Sequence, residues 1–204
     1  MGLAAAGWGP NPASSRQRGV FFGAMREYSI PELTSGVAVA ALPAASVLIR
    51  QMAFAGYRET AASVASSFAL KRMRLGLRVR LESTRPEGFR SSQSVSLAFG
   101  LIGNLGKGSV GLLVARRSMG IGYAVSAGGW TVMPDLLVTE GIFSPRLGWV
   151  FRLSPALTIL GGLASSPDIL ALGLTIGVRG WRAEFGFSRH EPLGWSQAVG
   201  LRWQ

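Results

Sequence analysis

The stretch Leu170-Ala171-Leu172-Gly173-Leu174-Thr175-Ile176-Gly177-Val178-Arg179 decides the fold. Its even positions are large aliphatics, and its odd positions are small, hydroxylated or charged. A strand sends successive side chains to opposite faces, so this segment has one oily face and one small or polar face. A helix would need apolar spacings of three to four.

The same rhythm runs outward in both directions. Met73, Leu75, Leu77, Val79 and Leu81 alternate with Arg74, Gly76, Arg78, Arg80 and Glu82. Val95, Leu97, Phe99 and Leu101 alternate with Ser94, Ser96, Ala98 and Gly100, and Trp181, Ala183, Phe185 and Phe187 with Arg182, Glu184, Gly186 and Ser188. Residues 19–27, 35–42 and 45–54 also read as strands, the last two with less clean faces, and later strands are expected at 133–143 and 147–154. The reading gives about fourteen strands of roughly 8–12 residues, close to the ~9–11 of a tilted membrane-spanning strand.

Composition says what the oily face meets. Of 204 residues, 48% are hydrophobic and only 15% charged, and the mean hydropathy is +0.31. Soluble domains carry about 25% charged residues, so this chain has too little charge for an ordinary wet surface. Its long uncharged runs are broken by glycine and proline, which argues against a spanning helix of ~20 apolar residues. A closed sheet is the other spanning solution, because hydrocarbon leaves no partner for an open edge. The expected fold is therefore an all-β transmembrane antiparallel barrel of 12–14 strands. It forms one domain over residues 1–204, with residues 18–204 as barrel and the Gly/Ala/Pro/Ser-rich 1–17 as an inner plug. Trp130, Trp149, Trp181, Trp195 and Trp203 are expected near strand ends, in an aromatic girdle. The first residues lack the positive start and apolar core of a secretory signal, so the expected export signal is not in this chain.

The net charge of +11 is nearly all arginine, with Lys71 and Lys107 the only lysines. These arginines are scattered through apolar strands rather than clustered with polar residues, which argues against a nucleic-acid surface. Arg74, Arg78, Arg80, Arg152, Arg179, Arg182 and Arg202 are expected on the small-residue face. If that face lines a lumen, they form either an ion-pair network with Glu82 and Glu184 or an attractor for carboxylates and phosphates. There is no cysteine and one histidine, so neither a metal ligand set nor a cofactor is expected. Residues 103–109 hold glycines around Lys107, but Gly108 stands where a phosphate loop needs Ser or Thr, so they read as a turn. Ser188 and His190 share a face, as a lipid hydrolase on a barrel wall would need, with Glu184 or Glu191 to orient the imidazole. A polar hairpin end turned by Pro192-Leu193-Gly194 explains the same residues without catalysis.

Several short motifs carry a resemblance. Trp8-Gly9-Pro10-Asn11-Pro12-Ala13 is similar to the element that opens fatty-acid-transporter-like outer-membrane barrels. Glu27-Tyr28-Ser29-Ile30-Pro31-Glu32-Leu33, Gly56-Tyr57-Arg58-Glu59, Leu75-Gly76-Leu77-Arg78-Val79 and Ser188-Arg189-His190-Glu191-Pro192-Leu193-Gly194-Trp195-Ser196 follow in order. Together they resemble the PorV/PorQ-like family of that superfamily. The resemblance implies a non-enzymatic barrel in the outer membrane of a Gram-negative bacterium, with Asn11, Pro12 and Ala13 on the plug side. It implies passage or binding of a hydrophobic ligand, or an accessory role in a type IX-like secretion complex. Its expected partners are outer-membrane lipid and other outer-membrane or secretion subunits.

Overall fold

A computed structural model describes residues 18–191 and 193–203; the expected plug and its Asn11, Pro12 and Ala13 lie outside them. Fourteen antiparallel strands close into one barrel: β1 Gly19–Arg26, β2 Thr34–Ala41, β3 Ala45–Phe54, β4 Tyr57–Leu70, β5 Met73–Pro86, β6 Ser92–Leu105, β7 Gly108–Ala115, β8 Ser118–Ala127, β9 Trp130–Thr139, β10 Ile142–Arg152, β11 Leu157–Ala164, β12 Ile169–Val178, β13 Trp181–His190 and β14 Gly194–Trp203. Each strand pairs with its sequence neighbours, and β1 closes on β14 from Val20↔Trp203 to Arg26↔Gln197. Closure leaves no strand at an edge, since every strand is paired on both sides over at least part of its length.

Following the register once round the barrel displaces the chain by about fourteen residues. With ~3.3 Å per residue and ~4.8 Å between strands, this is a tilt of about 35° and a backbone diameter of about 26 Å. Gly19 and Trp203 lie at one end, together with the tight turns at 71–72, 106–107, 128–129 and 179–180. The opposite end carries the longer connections 27–33 and 87–91. These are called here the terminal end and the loop end.

The oily face points outward. Leu75, Leu77, Val79 and Leu81 on β5 and Leu170, Leu172 and Ile176 on β12 are all exposed, while Gly76, Ala171, Gly186 and Ala198 on the other face are buried. Trp181 pairs with Trp203 at the terminal end, Trp130 stacks on Phe151 with ring centroids 4.2 Å apart, and Trp195 is the second residue of β14, at the loop end. Trp149 departs from the expected girdle. It lies within β10 opposite Gly161, where a Cβ would fall 1.9 Å from its ring. The indole covers its neighbour's bare backbone.

Two expectations are corrected. The strand expected at 133–143 ends at Thr139, and the turn is Glu140-Gly141, with Glu140 at φ 53° and Gly141 at φ 85°. Pro134 and Pro145 mislead because each sits inside a strand. The β8–β9 register breaks between Gly122↔Asp135 and Val125↔Val132, beside Pro134, which has no N–H to donate. Pro145 lies just outside the β10–β11 register, which starts at Arg146↔Ala164. The second correction concerns β1 to β3, where size does not mark the face. Phe21, Val39 and Leu48 point inward, whereas Gly36, Ala38 and Ala40 of β2 face outward beside the outward Phe22, Val47 and Ile49.

Candidate functional site: the lumen wall

The inner face is a wall of small residues interrupted by two kinds of larger side chain. The first kind is apolar. Phe21 and Val39 are 6% and 8% exposed, and they stand in line with Leu48 through the pairs Phe21↔Val39 and Val39↔Leu48. Phe21 fits because it rests on glycines: a Cβ on Gly200 would meet its ring at 2.3 Å and one on Gly23 at 2.8 Å.

The second kind is cationic. Arg74, Arg78 and Arg80 form a stripe along β5, and Arg80 is ion-paired with Glu82 two residues on. The line through Leu48 continues as Leu48↔Ser63 and Ser63↔Arg80, so the apolar patch runs straight into this stripe. On its other flank Phe21 pairs with Arg202, and Arg202 with Arg182. The Arg202 guanidinium carbon lies 5.8 Å from the Phe21 ring centroid, a cation–π contact. Arg202 also holds Glu184 at 2.8 Å, with the two side chains 11% and 9% exposed. One course of the wall therefore reads Arg182, Arg202, Phe21, Val39, Leu48, Ser63, Arg80.

The expected partners Glu82 and Glu184 are both engaged, with Arg80 and Arg202 respectively. Arg152 ends β10 and is exposed at the terminal mouth. Arg179 is a correction: it sits in the β12–β13 turn at φ 48°, outside the lumen face, because the alternation stops one residue before it. Three lumen charges were not foreseen. Arg50 on β3 reaches Glu27 at 2.6 Å, and Arg146 stands across the ladder from Asp135. Arg146 and Asp135 were hidden by their prolines, which read as turn and strand start.

At the loop end, motifs from the two ends of the sequence meet. The Tyr28 backbone N–H donates to Ser196 Oγ at 3.0 Å, Ser29 Oγ donates to the Trp195 carbonyl at 3.1 Å, and the Tyr28 and His190 rings meet edge to face at 5.9 Å. Ser188 and His190 do share the inner face, but no hydrogen bond joins them, and His190 Nδ1 has no hydrogen-bond partner among the described residues. The pair lacks a hydrolase's aligned base and orienting carboxylate. No group of three potential metal ligands occurs among the described residues.

The fold is that of outer-membrane porin-like barrels. Omp33 of Acinetobacter baumannii superposes with a TM-score of 0.66 at 7% identity, over 93% of this chain and 99% of that one. A triple-mutant porin of Rhodopseudomonas blastica gives 0.56 at 9% identity over 91% and 98%. The KdgM porin in complex with disordered oligogalacturonate gives 0.52 at 8% identity over 91% and 98%. No protein-family profile matches the sequence, and no curated protein does. What these neighbours share with the chain is the barrel, a coarser class than the PorV/PorQ-like family its motifs resemble.

Proposed function

We propose that this protein is a channel of the Gram-negative outer membrane that passes amphiphilic anions, molecules with a carboxylate or phosphate at one end and an apolar body. The observation that carries this reading is the wall course in which Phe21, Val39 and Leu48 lie between Arg202 and Arg80. Apolar side chains in a wet lumen gain by covering an apolar solute, about 25 cal/mol per Å². The arginines on the two flanks, Arg182 with Arg202 and Arg74 and Arg78 with Arg80, outnumber the carboxylates Glu184 and Glu82 that pair there, which leaves a positive potential for an anionic end. A pore for neutral solutes would have no use for the cationic excess.

The test is reversal potential in planar bilayers under a salt gradient, followed by block with octanoate. The wild type should select chloride over potassium, and octanoate should block at lower concentration than acetate. Arg74→Gln with Arg78→Gln should lower the selectivity several-fold. Cation selectivity, or equal block by octanoate and acetate, sinks the reading.

A second reading, a non-enzymatic accessory subunit of a secretion complex, has one feature in its favour. Residues 92–97 of β6 continue beyond β7 and pair only with β5. That free ladder edge at the loop end could take a partner's strand. Loss of a co-purifying large subunit on Ser94→Pro would support it.

A further inference from the structure

The outer surface is not uniform around the loop end. On the β4–β5 pair the outward rungs climb from Phe68↔Leu75 through Val64↔Val79 and Ala62↔Leu81 to Thr60↔Ser83, and then to Arg58↔Arg85. From Met73 to Leu81 the apolar part rises ~22 Å at the tilt given above, near the ~25 Å apolar band of such barrels. Arg58 and Arg85 thus stand about 10 Å beyond the last apolar rung, at headgroup level. Both are exposed. They face each other across the ladder, an arrangement that like charges disfavour, and among the described residues neither side chain has an ion pair or hydrogen bond.

Single outward arginines also stand at this end on β1 and β13, beyond β2 and β3. Arg26 pairs with Gln197 and Arg189 with Trp195, all outward, one step above Phe187 and Val199. The far wall differs. There Met119, Val138 and Phe143 face outward at the same end, and the rim cation Arg117 is neutralised by Glu140 at 2.9 Å. Arg116 in the β7–β8 turn is also exposed and without an ion pair among the described residues, so such arginines occur on both walls, but at this end of the outer surface only Arg58 and Arg85 face one another.

We infer that the Arg58–Arg85 pair and the apolar wall below it form a docking surface for lipids whose headgroup bears phosphate. Each arginine can lay its apolar stem along the wall and hold a phosphate with its guanidinium fork. A phosphate between Arg58 and Arg85 removes their repulsion, and the lipid's chains then run down over Val64, Val79 and Leu81. A free anion could take the charge but not the apolar band. This proposal needs the membrane placement of the barrel and is independent of what crosses the lumen.

The experiment uses the full chain folded in a zwitterionic detergent and weighed intact by native mass spectrometry. Dimyristoyl phosphatidic acid, dimyristoylglycerol and inorganic phosphate are the three probes. Phosphatidic acid should be retained at least tenfold better than dimyristoylglycerol, and tenfold less well by Arg58→Gln with Arg85→Gln. Inorganic phosphate should neither bind nor displace the lipid. The unheated band on a gel must stay compact in the variant; if it does not, Arg85→Gln alone carries the same prediction. Equal retention of the two lipids, undiminished retention in a folded variant, or binding of phosphate alone overturns the proposal. So does a multimer that the arginine variants dissociate, since a second copy would then be the occupant.

Discussion

Phe21 covers Gly200: a Cβ on that glycine would lie 2.3 Å from ring atom Cε2 and 2.5 Å from Cζ. The two residues belong to β1 and β14, so the ring lies across the seam where the barrel closes. Gly200→Ala must displace the ring from its bed, and overpacking of this kind costs about 1–3 kcal/mol. The loss should appear as a lower urea midpoint for the barrel in detergent. In a Phe21→Ala background the same substitution should cost almost nothing, because residues in contact are not additive. An equal cost in both backgrounds would show that the ring does not rest there.

The outward counterpart is Trp149 on Gly161, where a Cβ would fall 1.9 Å from Cζ2. Here the indole is held against the wall with lipid on its other side. Gly161→Ala should free it, with a loss of about 1–3 kcal/mol and a shift in tryptophan emission. Gly36, whose Cβ would meet nothing within 4 Å, is the control. Gly36→Ala should leave both stability and emission near the wild type.

Much of this architecture was legible because one physical period governs it. Where a strand has lipid on one face and a crowded small-residue wall on the other, as β5 and β12 do, alternation is enforced at every position. Fourteen strands could be counted on that basis. The reading weakened where the constraint relaxes. On β2, Val39 turns inward and Ala38 outward, so size no longer marks the face. The lumen there tolerates an apolar patch that alternation alone cannot assign to a side. Pro134 and Pro145 hid a turn two residues wide, because a proline placed at a break in the ladder costs little and resembles a strand boundary. The lumen arginines of β5 followed from the period, whereas Arg50 and Arg146, on the strands it left ambiguous, did not.

Glu184 is placed to restrain two arginines. It holds Arg202 at 2.8 Å, and Arg202 faces Arg182 directly across the ladder. Glu184→Gln removes the carboxylate of this pair and leaves two cations opposed on a buried stretch of wall. The expected loss is about 1.5–3 kcal/mol, the range for a hydrogen bond to a charged group. A second change, Arg202→Met, should recover part of it by removing one of the two opposed charges. If Glu184→Gln alone leaves the unfolding midpoint unchanged, the ion pair has no structural role.

The patch between the arginines gives the lumen reading its sharpest test. Val39 and Leu48 are neighbours across β2 and β3, and both face the lumen. Val39→Asn with Leu48→Asn keeps side-chain size close to that of the wild type and leaves every arginine in place. Chloride selectivity depends on the cations alone and should not change. Octanoate depends on both parts of the wall. Its blocking concentration should rise about 10-fold or more, since burial of a CH₂ contributes ~0.8 kcal/mol and several lie against the patch. Acetate, with almost no apolar body, should block as before. A variant that loses chloride selectivity together with octanoate block has altered the pore as a whole, and the patch then has no separate part in recognition.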